Sequence, residues 1–205
     1  MEALELIKTR RSTRKFQKRG VEKELIDTII EAGRYAPSGG NSQTTHFFVI
    51  TDRSVLTELA ALVKNEFSKM EITPGMYRSM EQAIRAAKGE TYVFHYDAPV
   101  LIVTANKKEY GNNMADCACA LENMMLMANA LDLGSCWINQ LRWLNESAVI
   151  NDVFRKFGMS EDERIYGAVS IGYAATEDGM PVRKPLERTG NPVTIVAKMP
   201  DTFDL

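Results

Sequence analysis

Residues 112–133 read NNMADCACALENMMLMANALDL, and the placing of this run decides what kind of molecule the chain can be. Met114, Cys117, Ala118, Leu121, Met124, Met125, Ala128 and Leu131 recur at helical spacing and leave almost no polar face. A membrane span is one reading of so long an apolar run. Against it stand Asp116, Glu122, Asn113, Asn123 and Asn129, which fall inside the run rather than at its ends, where lipid would leave them unpartnered. The run is therefore read as a helix buried in protein. One domain of this size encloses such a helix with difficulty, so the pattern predicts a second copy of the chain against one side, in an obligate homodimer.

The bulk numbers agree with a folded globular chain. Its 205 residues are 45% hydrophobic and 25% charged, with no repeat or low-complexity tract, and are read as a single domain over 1–205. The first ten residues, MEALELIKTR, suggest an amphipathic helix and lack the pattern of a signal peptide, so a cytoplasmic, non-membrane protein is expected. Cys117, Cys119 and Cys136 form no CxxC and are read as small hydrophobes. His46 and His95 have no neighbouring ligand cluster, so each is read as a satisfied structural histidine and no metal is expected.

The charge is not evenly spread. Residues 8–19, KTRRSTRKFQKR, hold seven of the 25 Lys and Arg, leaving 18 basic against 27 acidic residues elsewhere. Guanidinium forks interleaved with Thr9, Ser12 and Thr13 are the equipment of bidentate phosphate recognition. An acidic remainder is a poor background for a long polyanion, and Phe16 is the one aromatic in the stretch, so nucleic acid is not expected as a partner. A pocket for one or two phosphates is.

Along the chain, helices are predicted over 2–9, 22–35, 54–69, 78–88 and 147–157, and strands over 45–51, 99–105, 135–139 and 164–173. Residues 38–42, SGGNS, form a turn-rich loop whose glycines permit positive φ. Residues 70–96 are an excursion of the sort that covers sites. Gly134 is placed as the cap of the apolar helix and Asn145 as the cap of the helix after it. The tail from 174 has no core of its own, carries a short strand-like piece at 193–197, and is expected to wrap over a partner.

Five of these pieces together resemble the FMN-dependent nitroreductase family: RRSTRKF at 10–16, APSGGNSQ at 36–43, DAPVLIV at 97–103, the apolar helix running into LGSCWI at 133–138, and IGYA followed by PVRKPLE at 181–187. The resemblance implies an α+β fold with a mixed central sheet flanked by helices, in an intertwined homodimer with FMN at the subunit interface and the 174–205 tail around the partner. It implies that Arg10, Ser12 and Arg183 hold the FMN phosphate and that Arg14 faces the pyrimidine end of the ring, with Arg11 lining the site. Pro37, Ser38, Gly39 and Asn41 match the loop that the second subunit brings to the flavin, and Ile138, Asn139 and Gln140 match the segment running past the flavin N5 edge. Two departures stand out: Thr44-Thr45 replaces a common Pro-Trp, and Asn139-Gln140 lacks the usual glycine. The implied activity is an oxidoreductase in which NAD(P)H delivers hydride and a small nitroarene, quinone or enone then takes it, by a ping-pong cycle. No protein acid or base is named as catalytic. The alternative is a flavoprotein that stores FMN or senses with it and does not turn over.

Overall fold

The computed structural model describes residues 2–197. Seven helices and four strands are described: α1 (Ala3–Thr9), α2 (Lys23–Arg34), β1 (His46–Ile50), α3 (Arg53–Ser68), α4 (Arg78–Ala87), β2 (Val100–Lys107), α5 (Asn113–Ala130), β3 (Gly134–Ile138), α6 (Gln140–Trp143), α7 (Ala148–Lys156) and β4 (Glu163–Gly172). The strands form one sheet in the order β1-β2-β4-β3, each pair antiparallel.

The central strand β2, apolar and buried through Asn106, explains the two layers. Leu101, Val103 and Ala105 face the layer built by α3, α4, α6 and α7, where Leu56, Phe67, Ile84 and Phe154 are fully buried. Val100 and Ile102 face the opposite layer, where α2 and α5 contribute Ile29, Leu121 and Met124. Each such side chain taken out of water stabilises the fold by about 1.5–3 kcal/mol before its ordering cost is counted. On β4, the pairing slips between Thr104 and Ala105, so that Tyr166 is left without a partner. This bulge changes parity: Ile165 and Ala168 point into the same layer although three residues apart.

The α+β class is as expected, and the mixed character of the sheet is confined to one parallel bridge, Ser12 with Ser135; a second isolated bridge, Phe16 with Ala174, is antiparallel. The arginine segment is thus not a free loop. It runs along the end of β3 and then beside residues 173–175, through Thr13 N–H to Ser135 O (2.8 Å), Gln17 N–H to Tyr173 O (2.9 Å) and Ala175 N–H to Lys15 O (2.9 Å). Gly134 is required there rather than at a helix cap: a Cβ on it would lie 2.6 Å from Thr13 Oγ1. The left-handed position after α5 falls instead on Asp132, φ 61°.

Other expectations are corrected. Ser147, not Asn145, caps α7 by accepting the Ile150 N–H, while the Asn145 side chain bonds both the N–H and the C=O of Ile165. Residues 193–197 form no strand, and Val193, Ile195 and Val196 stand in solvent. Cys119 is exposed, whereas Cys117 and Cys136 are buried. His46 meets Glu163 at 3.1 Å, but His95 is buried with no hydrogen bond to either ring nitrogen among the described residues. The expected 174–205 tail lies partly outside the described residues.

Candidate functional site

A cavity of about 960 Å³ opens where the arginine segment crosses β3. Ser12, Arg14 and Cys136 form its floor, Trp137, Asn139, Gln140 and Trp143 one wall, and α4 with residues 91–96 the other, through Ser79, Gln82, Tyr92 and Tyr96. Aromatic faces with a few polar groups converging on them suit a flat ligand. The excursion at 70–96 is therefore a wall of the site. Trp143 comes from α6, a single turn with too few residues to show a period.

The polar groups differ in how far they are committed. Arg14 has no ion pair among the described residues and lies 6.0 Å over the Tyr96 ring. Trp137 Nε1–H donates to Asn139 Oδ1 at 2.8 Å, and Gln140 Oε1 accepts the Asn139 N–H at 3.2 Å, so the two residues in place of the usual glycine are folded onto their own turn. The Tyr92 hydroxyl is buried without a hydrogen bond, and burial pushes its pKa up to about 12, with Gln140 near enough to moderate the effect. It is a proton-bearing donor at any physiological pH. Cys136 has its thiol pushed up by burial, which removes thiolate character. Ile138 is buried in the core and does not line the cavity.

Arg183 is held beside Thr9, the residue before Arg10, at the other end of the same segment. Asn129, near the C-terminus of α5, donates to Thr9 Oγ1 (3.2 Å) and Leu6 O (3.1 Å) and accepts from Arg183 Nε (3.1 Å). Arg183 also bonds Asn129 O and Asp132 Oδ1, while Arg10 reaches Glu122 at 3.7 Å. The two arginines flank the Thr9–Asn129 contact, and Arg183 lines a second hollow of about 580 Å³ with Lys8 and Thr9. Arg11 is half-buried beside them, with no ion pair among the described residues.

Pro37, Ser38, Gly39 and Asn41 are not brought to this place within the chain. Pro37 and Ser38 line a small separate hollow with Asp116, and Gly39 N–H donates to the Asp116 carboxylate at 3.2 Å. Asp116 and Asn129 lie near opposite ends of α5, roughly 20 Å apart at 1.5 Å per residue. Among the described residues, no group of three or more His, Cys, Asp and Glu could hold a metal ion, and no helix is long and apolar enough to cross a membrane.

Comparison with known proteins decides the relationship. The family model described as Nitroreductase family matches residues 7–173. The chain belongs to the nitroreductase family. Among solved structures, an FMN-bound nitroreductase from Bacteroides fragilis is 34% identical, with 96% of this chain and 99% of that one covered and a TM-score of 0.82. A candidate NADH dehydrogenase/NAD(P)H nitroreductase of Methanothermobacter thermautotrophicus is 30% identical, over 87% of this chain and 81% of its own length. A nitrobenzene nitroreductase of Ectopseudomonas oleovorans is 25% identical, over 83% and 86%. The nitroreductase match ends ten residues before Arg183, which sequence resemblance alone had attached to the site.

Proposed function

We propose that this chain is an FMN-dependent oxidoreductase that takes hydride from NAD(P)H and passes electrons to a small organic acceptor of the nitroarene, quinone or enone type. The observation that carries the reading is that Ser12 and Arg14 of the basic segment line a large aromatic-walled cavity, while Arg183, from the far end of the chain, is held against Asn129, which also bonds Thr9 of the same segment. The donor set fits FMN. Arg10, Ser12 and Arg183 offer charge-assisted hydrogen bonds to a phosphate, and the Arg183 Nη1 hydrogens make no hydrogen bond among the described residues. Arg14 and the 138–140 turn would hold the ring. The relatives' names and the FMN in the Bacteroides fragilis structure support this choice.

Bound FMN would supply the hydride-accepting ring. The chain's own residues bind, orient and exclude water: Arg14 places positive charge where electron density builds, and Tyr92, Tyr96, Trp137 and Trp143 present flat apolar faces to donor and acceptor. One cavity serving both substrates implies that they enter in turn, a ping-pong order.

The unit in this reading is a homodimer of single-domain chains. Residues 37–41 of one subunit would serve the flavin held by Arg14 of the other, and the tail from 174 would cover its partner. Support comes from the placing of Pro37 and Ser38 in a hollow apart from the cavity that Arg14 lines, and from exposed Met114, Val193, Ile195 and Val196. Three free cysteines suit a reducing cytoplasm. The test is direct. Purified protein should be yellow and release FMN on denaturation, and anaerobic mixing with NADH or NADPH should bleach it. Colourless protein that fails to bind added FMN defeats the proposal. Bleaching by either nicotinamide with no reoxidation by a panel of nitroarenes, quinones and enones leaves a flavoprotein without this activity.

A further inference from the structure

We propose that Asp116, together with Tyr110, is a positioning residue that sets the 37–43 loop in the conformation it presents to a bound flavin. The inference rests on the reading of that loop as a flavin contact. Asp116 is buried in the first turn of α5, and its two carboxylate oxygens are spent on the loop and its support: Oδ1 accepts the Gly39 N–H at 3.2 Å, and Oδ2 lies 2.9 Å from the Tyr110 hydroxyl. The same hydroxyl lies 3.1 Å from Gly39 O and accepts from Ser42 Oγ at 3.0 Å. One aspartate and one tyrosine therefore address both polar groups of the Gly39 backbone. The approach is tight enough to demand glycine, since a Cβ at 39 would stand 2.6 Å from the Tyr110 hydroxyl oxygen and 2.1 Å from Asn112 Nδ2.

The loop needs such a hold. Asn41 and Gln43 carry positive φ, 55° and 50°, in a region that side chains other than glycine enter only at a cost. Inside the loop, Asn41 N–H bonds Ser38 O (2.9 Å), Ser42 N–H bonds Gly39 O (3.1 Å) and Gln43 N–H bonds Ser38 Oγ (3.1 Å). These bonds close the turn on itself. The described side-chain bonds that tie the turn to α5 and the chain before it run through Asp116 and Tyr110. A carboxylate near a helix N-terminus is also favoured by the helix dipole.

The experiment compares Asp116→Ala, Asp116→Asn, Tyr110→Phe and Asn41→Ala in the full-length protein, by amide hydrogen exchange of the flavin-free form and by flavin titration. Asp116→Ala should speed exchange at Gly39 and Gln43 and weaken FMN and riboflavin alike, by about 10- to 100-fold, the loss expected for a hydrogen bond to a charged group. Asp116→Asn, which keeps volume and one acceptor, should recover most of that loss, and Tyr110→Phe should fall between. Unchanged exchange at 39–43 in Asp116→Ala overturns the anchor whatever happens to the flavin. Faster exchange with unchanged flavin affinity also overturns the proposal, and Asn41→Ala then separates the causes. If Asn41→Ala still weakens FMN, the loop touches flavin without needing Asp116; if it does not, the reading of the loop itself fails. Should Asp116→Ala not fold, Asp116→Asn and Tyr110→Phe carry the same comparison.

Discussion

Arg14 and Arg183 carry the same charge in different settings, one over Tyr96 with no ion pair among the described residues and the other tied to Asn129 and Asp132. If Arg183 lends its remaining donors to a phosphate, Arg183→Ala should weaken FMN about 10- to 150-fold, from the 1.5–3 kcal/mol of a charged hydrogen bond, and leave riboflavin almost unchanged. Arg14→Ala should weaken both flavins and lower the reduction potential. Fluorescence titration of each variant with each flavin distinguishes them, and equal losses for FMN and riboflavin in Arg183→Ala would exclude a phosphate contact. His95 gives a second residue-scale expectation. Burial lowers its pKa, so the folded chain keeps it neutral while the unfolded chain, near pH 6.5, takes up a proton. Its contribution is intact above that pH and is lost as pH falls below it toward the folded value, with a slope of at most about 1.4 kcal/mol per pH unit. Urea unfolding between pH 7.5 and 5.5 should show the decline in wild type and a flatter line in His95→Phe; parallel lines would place the titration elsewhere.

Among the elements, those with a long period were legible and the joints were not. Residues 113–130 were readable because eight apolar positions repeat at helical spacing, and β2 because an unbroken apolar run between turn signals leaves little else. Asn145 and Ser147 are both good capping types two residues apart, and what separates them is tertiary: Asn145 finds the backbone of Ile165, while Ser147 Oγ donates to Glu66 at 2.7 Å as it caps. Gly134 looked like a cap because the pressure on it, Thr13, comes from 121 residues away. Of the site, the arginines and the 138–140 turn were legible as motifs. Trp143 was not, and the 70–96 excursion was legible only as a segment of the sort that covers sites, since a cavity is a property of where elements meet. Two stability measurements follow. Ser147→Ala should cost about 1 kcal/mol for the lost cap, and Met124→Ala, fully buried between α5 and the sheet, about 2–5 kcal/mol. Denaturant midpoints would check both, and a loss under about 1 kcal/mol at Met124 would mean that the layer collapses around the gap.

For the whole molecule, the placing of Pro37 and Ser38 in a hollow apart from the cavity that Arg14 lines makes subunit mixing the informative test. Co-expressed chains, one bearing Arg10→Ala and the other Asn41→Ala, should recover one intact flavin site per heterodimer if the two groups come from opposite chains. No recovery in a verified heterodimer would mean that each chain builds its own site. The docking of residues 12–17 onto Ser135, Tyr173 and Ala175 has a consequence of another kind, in the order of synthesis. The segment leaves the ribosome some 160 residues ahead of its last backbone partner, a wait of roughly 10–30 s at 5–20 residues per second. An apolar strand left unpaired that long would be open to capture by other chains. Seven cationic side chains in twelve residues keep this segment hydrated and mutually repelled until the sheet exists, so the composition that suits an anion also suits a segment that pairs long after it is made.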